Sequence, residues 1–257
     1  MGTRAGAGSV ITTFLFADIA GFTALTEAHG DDQAADLVVA FSEAVQRELP
    51  SCGGTHVKTI GDALMLAIPE PADAIRFALW ITHELMRRHG APGIRVGLHH
   101  GPAVERHRDY FGSSVNLAAR VSALAVGGEV LVTGNTAALA PVVDGVVYES
   151  RGRHELRNVS EPVEIFAALR LGQAGDAALV IDPVCRMAVD PRQAPGRLIY
   201  RDDAYHFCSL TCAGIFAQHP ERYGAGGAAS ERSIRKEAAD HQKPVDRPAD
   251  SRTEQEP

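Results

Sequence analysis

Lysine is almost missing from this chain of 257 residues. Of its 25 basic side chains only Lys58, Lys236 and Lys243 are lysine, and the rest are arginine. A long apolar run is missing too. The longest stretches, near Val10–Ala17 and Ala63–Ile68, fall far short of the roughly 20 residues a bilayer-spanning helix requires. There is no basic excess: the formal net charge is -7 and no local basic face compensates it, which argues against a general nucleic-acid binder. The N-terminal apolar run is broken by Asp18 and no cleavage-like site follows, so a secretory leader is not expected. The expectation is a soluble, cytoplasmic protein with no membrane partner. Cysteine is scarce, with 4 residues, too few for a disulfide framework. Three of them, Cys185, Cys208 and Cys212, fall in one short region, and in a reducing compartment that points to metal binding before disulfides. Cys52 stands alone and reads as a plain buried or loop thiol. Internal repeats are lacking as well.

What is present is ordinary globular composition, 45% hydrophobic and 22% charged, enough for a sizeable core. Val10–Ala17 reads as a buried strand and Ala24–Leu49 as one amphipathic helix, ended by Pro50. Thr55–Ile60 and Ala63–Ile68 read as strands joined at Gly61-Asp62, a strong hairpin signal. Pro71–His89 is a second predicted helix, Ile94–Val104 a strand, Glu105–Gly112 a polar loop. Ser113–Val126 is a third predicted helix with Ser113 as its N-cap. Glu129–Thr133, a short helix at Asn135–Leu139, and a late hairpin of Val142–Glu149 with Val163–Leu169 complete the unit. The early order β-α-β-β-α-β predicts an α+β fold, an α/β sandwich with a ferredoxin-like sheet and helices on one face. The expected organisation is a flexible segment over 1–9, a first domain over 10–171, a small-residue linker over 172–176, a second small domain over 177–225, and a disordered tail over 226–257.

Two carboxylates stand where strands run out. Asp18 ends the first strand and Asp62 sits at the hairpin tip. A ferredoxin-like sheet places that strand beside that hairpin, so the two can converge. Paired carboxylates with phosphate oxygens are a usual way to hold Mg²⁺. The turn through Gly21, Phe22 and Thr23 opens a helix whose free N–H groups suit a triphosphate. Taken singly, each aspartate is as readily a cap or turn residue. Lys58 is the lone lysine of the predicted folded part, and a compact ammonium is not interchangeable with a guanidinium at a specific contact. His99, His100 and His107 read as strand-edge or loop residues, not ligands.

Three separated motifs carry a resemblance. Phe14-Leu15-Phe16-Ala17-Asp18-Ile19-Ala20-Gly21-Phe22-Thr23, then Val57-Lys58-Thr59-Ile60-Gly61-Asp62-Ala63, then Asp109-Tyr110-Phe111-Gly112-Ser113-Ser114-Val115-Asn116-Leu117-Ala118-Ala119-Arg120 together resemble the class III nucleotidyl cyclases. The resemblance covers about residues 10–170. It implies two Mg²⁺ or Mn²⁺ ions per site, held by Asp18, Asp62 and the Ile19 carbonyl, and in-line phosphoryl transfer from ATP. It implies that Lys58 and Asp109 select the base. Adenine offers an acceptor at N1 and a donor at N6, which an ammonium and a carboxylate match. Asn116 and Arg120, four apart on one helix face, would orient the ribose and neutralise the transferring phosphate. Arg157 lies near where the family places a basic phosphate contact, but Arg157-Asn158 stands here for the Lys-Gly common in relatives. The family's metal and base-selecting halves meet across a dimer interface, so a head-to-tail homodimer is implied.

The segment Asp182-Pro183-Val184-Cys185-Arg186-Met187, followed by Tyr205-His206-Phe207-Cys208-Ser209-Leu210-Thr211-Cys212, resembles the YHS domain of metal-handling proteins. Arg186 replaces a glycine common there. Cys185, Cys208 and Cys212, with His206 or Met187 as a fourth ligand, would suit Zn²⁺ or Cu⁺. Three reduced thiols packing a small core are the plainer alternative. The expectation is therefore an adenylate cyclase modulated by a metal-binding unit. Its alternatives are a degenerate nucleotide-binding signalling module and a thiol-metal-binding protein on a cyclase scaffold.

Overall fold

The computed structural model describes residues 9–85, 93–171 and 180–224. The expected segments over 172–176 and 226–257, and nearly all of 1–9, lie outside them. Strand β1 (Ser9–Ile19) is central, because Phe14, Leu15 and Ala17 are wholly buried and neither face meets water. It pairs antiparallel with β3 (Ala63–Ile68) on one side and with β4 (Ile94–Arg106) on the other. Strand β2 (Thr55–Ile60) hairpins onto β3 through Gly61, whose φ of +62° needs no Cβ. The sheet continues through β6 (Val130–Thr133), β8 (Val163–Arg170) and β7 (Val146–His154), in the order β2-β3-β1-β4-β6-β8-β7. Its first four strands have the ferredoxin-like order, as expected.

The predicted first helix is two, α1 (Phe22–His29) and α2 (Asp31–Glu48). Gly30 separates them with φ 85° and ψ 162°. Its N–H still closes α1 on the Thr26 carbonyl, while its own carbonyl opens α2. Helical periodicity runs through such a break because the apolar stripe resumes on the same side. Helix α3 (Pro71–Trp80) starts with proline at its first turn and widens into a π-helical turn over Ile81–Leu85. The predicted end at His89 lies outside the described residues.

The expected loop Glu105–Gly112 is largely strand. β4 runs on to Arg106 and folds back into β5 (Asp109–Phe111) through His107 and Arg108, both left-handed. Helix α4 (Ser113–Leu124) is capped by Gly112, not by Ser113. Helix α5 (Gly134–Leu139) has Thr133 as its N-cap, accepting from the Thr136 N–H. The first strand of the late hairpin starts at Val146 and extends to His154, four residues off the expected start, because 142–145 form a loop and turn that lead into it.

Helices cover both faces, not one. Leu15, Ala17, Leu64 and Leu66 pack with α2 and α3, whereas the alternate residues Phe14, Phe16, Met65 and Ala67 pack with Val115 and Ala118 of α4. A strand buried on both sides demands a layer on each. Each large side chain buried this way contributes about 1.5–3 kcal/mol.

The second unit has two short hairpins, β9 (Val180–Ile181) with β10 (Ala188–Val189) and β11 (Gly196–Tyr200) with β12 (Asp203–Phe207), followed by α6 (Leu210–Gln218). Phe216 is its centre, with the rings of Tyr200, Tyr205, Phe207 and Tyr223 within 6.4 Å. The core is not self-contained. Leu25 and Ala34 of α1 and α2 are buried in the same cluster as Cys185, Phe207, Cys212 and Phe216. A unit this small borrows apolar surface from its neighbour.

Candidate active site

Asp18 and Asp62 do converge. Register sets Asp18 opposite Ala63, the residue after Asp62. Asp62 is pushed up to about 6, first by burial and next by the negative charge of Asp18 beside it. Two half-buried carboxylates at this spacing ask for a cation. In the chain alone Arg95 supplies one. Opposite Asp18 in the β1–β4 register, it donates to the Asp18 Oδ2 through Nε at 2.7 Å and also through Nη2. Sequence reasoning missed Arg95. The only available signal was positional, since antiparallel pairing of β1 with β4 places residue 95 across from residue 18.

Gly21 adopts φ 78° and caps α1 without a side-chain hydrogen bond. Gly21 and Thr23 are exposed, and Phe22 is half-buried where the two units meet. The Ile19 side chain is buried in the core, so only its backbone could serve a ligand.

Lys58 and Asp109, separated by 51 residues, are brought together. Lys58 Nζ donates to both carboxylate oxygens of Asp109, at 2.6 and 2.9 Å. That bond holds the Asp109 carboxyl below its usual range. Asp109 also accepts from the Tyr110 N–H, and Tyr110 packs edge-on to Phe14 at 5.4 Å, so the folded-back β4–β5 hairpin is pinned to the sheet. Lys58 lies opposite Met65, and Asp18 opposite Ala63. Both therefore project on the sheet face that carries α4. Ile60 and Phe111, more than half exposed, flank the pair with apolar surface.

Asn116 is exposed and Arg120 half-exposed on the outer side of α4, whose inner side is Val115, Ala118 and Val121. Gly97 makes this placement close: a Cβ there would lie 2.0 Å from the Ser122 backbone nitrogen, so the helix rests directly on β4. Arg157 is exposed beyond β7, beside buried Leu156. Among the described contacts none brings Arg157 to the carboxylates. His99 and His100 sit in the middle of β4, not at a sheet edge. They bond Thr133 and Thr13 at 2.8 and 3.0 Å, and burial pulls His99 down to about 4. His107 is in the β4–β5 turn.

In the second unit the three cysteines gather, with sulfur separations of 3.3 Å for Cys185–Cys208 and 3.7 Å for Cys208–Cys212. The fourth member of the cluster is neither His206 nor Met187 but His29, at the end of α1. His206 faces away because it alternates with the buried Tyr205 and Phe207 along β12. No local pattern points to His29, which lies 156 residues or more before these cysteines in the chain. Cys52 closes a 3-10 turn, its thiol donating to the Leu49 carbonyl.

Residues 9–168 match the family profile described as the adenylate and guanylate cyclase catalytic domain, and residues 180–226 match the YHS domain. The chain is 34% identical over 177 residues to a pH-sensitive adenylate cyclase of Mycobacterium tuberculosis, covering 66% of this chain and 44% of that protein. It is 35% identical over 117 residues to an adenylate cyclase of Streptomyces coelicolor, covering 46% of this chain and 31% of the relative. The crystal structure of the adenylyl cyclase CyaB from P. aeruginosa superposes with a TM-score of 0.57 at 23% identity, over 65% of this chain and 98% of that one. The chain thus spans less than half the length of these curated relatives, and among its described residues no helix is long and apolar enough to cross a membrane.

Proposed function

This chain belongs to the adenylate and guanylate cyclase catalytic-domain family, and from that membership we propose that it is an adenylate cyclase, forming 3′,5′-cyclic AMP and pyrophosphate from ATP as a cytoplasmic homodimer. The family description leaves the base open. The observation that carries the choice of adenine is the Lys58–Asp109 pair, an ammonium and a carboxylate held 2.6 Å apart at a half-exposed position. Opened onto a purine edge, the ammonium donates to N1 and the carboxylate accepts from N6. Guanine presents the reverse pattern, leaving both groups mismatched, and a buried polar mismatch is strongly rejected.

The catalytic end is Asp18 with Asp62. Their oxygens, joined by the Ile19 carbonyl, are a hard donor set suited to Mg²⁺ or Mn²⁺, and the repulsion that lifts Asp62 is what a divalent cation relieves. Two such ions, when bound, supply activation of the ribose 3′-hydroxyl and charge neutralisation at the triphosphate. With Asp18 engaged in that way, the Arg95 donors now spent on it become available to phosphate oxygens, a charge-assisted contact. The N–H groups of Gly21, Phe22 and Thr23 add the positive end of α1. Asn116 orients the ribose so that its 3′-oxygen faces the α-phosphorus, and Arg120 offsets charge as the new P–O bond forms and pyrophosphate leaves. These α4 residues and the Lys58–Asp109 pair come from one protomer, and Asp18 and Asp62 from its partner. The exposed Ile60 and Phe111 support that arrangement, since they offer apolar surface for a second copy.

Product chromatography tests the reading. Purified protein given ATP or GTP with Mn²⁺ is expected to yield cyclic AMP from ATP alone, and Asp18→Ala to yield none. Cyclic GMP as the main product would overturn the base assignment. Absence of product from either nucleotide would favour a nucleotide-binding signalling module.

A further inference from the structure

The cysteine cluster is not a property of the second unit alone. His29 Nε2 lies 3.6 Å from Cys208 Sγ and 3.6 Å from Cys212 Sγ, and all four candidate donor atoms lie within 4.8 Å of one another. A tetrahedral ion with bonds of about 2.3 Å to sulfur and about 2.05 Å to nitrogen spans edges of about 3.8 Å between sulfurs and about 3.6 Å from sulfur to nitrogen. The Cys208–Cys212 and both sulfur–nitrogen separations fit those edges. The Cys185–Cys208 edge, at 3.3 Å, is shorter and would open slightly.

The surroundings are those of a built site. Asp182 is fully buried. Its Oδ1 accepts from the Val184 and Cys185 N–H groups at 2.8 and 3.4 Å, and its Oδ2 from the Cys208 N–H at 2.8 Å. One carboxylate thus fastens two cysteine-bearing segments to each other, the outer-shell support that metal sites use. Ser209 caps α6 by accepting from the Cys212 N–H at 3.1 Å, which sets Cys212 in the first turn, near the positive helix end that favours a thiolate. Packing alone would not require a histidine nitrogen equidistant from two sulfurs.

We propose that His29, Cys185, Cys208 and Cys212 form one binding site for a soft d¹⁰ cation, Zn²⁺ in tetrahedral S₃N coordination, assembled across the two units. The ion staples the second unit to helix α1. That helix is capped by Gly21, two residues after the end of the strand that carries Asp18. The same docking lays the Arg186 side chain over Gly21, where a Cβ would meet Arg186 Cγ at 2.5 Å. Arg186 holds a left-handed φ of 67° to do so, at a position where glycine would cost less. Metal occupancy therefore acts on the loop that precedes α1, whatever reaction the first unit performs.

The test uses the full chain, reduced and stripped of metal under anaerobic conditions. Zn²⁺ is titrated in competition with a chromophoric chelator, and Co²⁺ serves as a spectroscopic probe. The expected result is one tight equivalent per chain, with thiolate-to-cobalt charge transfer and the intense visible bands of a tetrahedral site. His29→Ala should weaken Zn²⁺ binding by more than the roughly 10–100-fold typical of losing an outer-shell partner. His29→Cys should restore a tetrahedral spectrum, which separates ligand loss from misfolding. Amide hydrogen exchange should show α1 becoming protected when Zn²⁺ is added to the wild type, and not in Cys208→Ser. Unchanged affinity and spectrum in His29→Ala would overturn the shared site. So would binding that leaves α1 exchange unaltered, or a preference for Cu⁺ that is indifferent to His29. Failure to bind any ion would reduce the cluster to packed thiols.

Discussion

Gly97→Ala is a one-methyl change at a residue that is itself no proposed ligand, yet it should disable the chemistry. The added Cβ would lie 2.0 Å from the Ser122 nitrogen, 2.4 Å from its Cα and 2.6 Å from the Val121 carbonyl carbon, whereas ordinary contact begins at 3.4 Å. These are backbone atoms of α4, so no side-chain rotation relieves them, and the helix must back away by roughly 1.4 Å. Overpacking of this kind costs about 1–3 kcal/mol, which for a domain of this size lowers Tm by roughly 3–10 °C. Asn116 and Arg120 ride on the same helix. A displacement of about 1 Å in a positioning group can cost around 100-fold in rate, so kcat for cyclic AMP formation should fall by about that factor. Asp18 and Asp62 are on β1 and the β2–β3 turn, whereas the atoms nearest the added methyl all belong to α4. Mn²⁺ affinity, followed by the loss of the free-ion paramagnetic resonance signal, should therefore stay within about twofold of wild type. Steady-state kinetics at a temperature well below the lowered Tm separates misplacement from unfolding. Wild-type kcat together with wild-type Tm would refute the inference that α4 sits rigidly on β4. Equal losses of kcat and Mn²⁺ affinity would refute the claim that the two halves of the site are independently placed.

Two other outcomes follow from the same geometry. Asp18→Ala and Asn116→Ala should each be inactive, and mixing equal amounts under conditions of subunit exchange should restore about a quarter of wild-type activity. Half of the dimers would then be mixed, each with one intact site of two. A mixture of Lys58→Ala with Asn116→Ala, both in the same half, should restore nothing, and recovery there or silence in the first mixture would contradict a shared site. Because burial and the Asp18 charge raise Asp62 to about 6, and the cation needs the ionised form, protons should compete with metal below that pH. Apparent Mn²⁺ affinity should hold from pH 8 to about 6.5 and then fall by about tenfold per unit below 6. An affinity that is flat down to pH 5 would show that Asp62 is already ionised and that no such competition exists.

Much of the candidate site was legible before any fold was drawn, because cyclase-type motifs concentrate several chemical groups in short stretches. Asp18, Asp62, Lys58, Asp109, Asn116 and Arg120 could each be named from three segments. The ferredoxin-like order came from alternation and turn signals, which report local backbone preference. Failures were local where glycine intervened. Gly30 splits a helix without disturbing its apolar stripe, and Gly112 takes the cap that serine chemistry alone would assign to Ser113. The polar stretch at 105–112 read as loop because charge masks a strand whose partner is its own continuation.

Residue identity and spacing determined the classes of chemistry this chain can perform: paired oxygen donors, an ammonium–carboxylate pair, clustered thiols. Those are properties of side chains and of near neighbours along the backbone. Only the tertiary structure decided which distant groups share a site. Arg95 reaches Asp18 because two strands 77 residues apart lie in register. His29 reaches the thiols because the small unit buries Phe216 and Cys212 in one cluster with Leu25 and Ala34 of its neighbour, and that apolar contact carries the imidazole along. Periodicity shows that a surface must be buried but not against what. The partner is chosen by the burial of the whole chain at once, and the sites that span two units are settled with it.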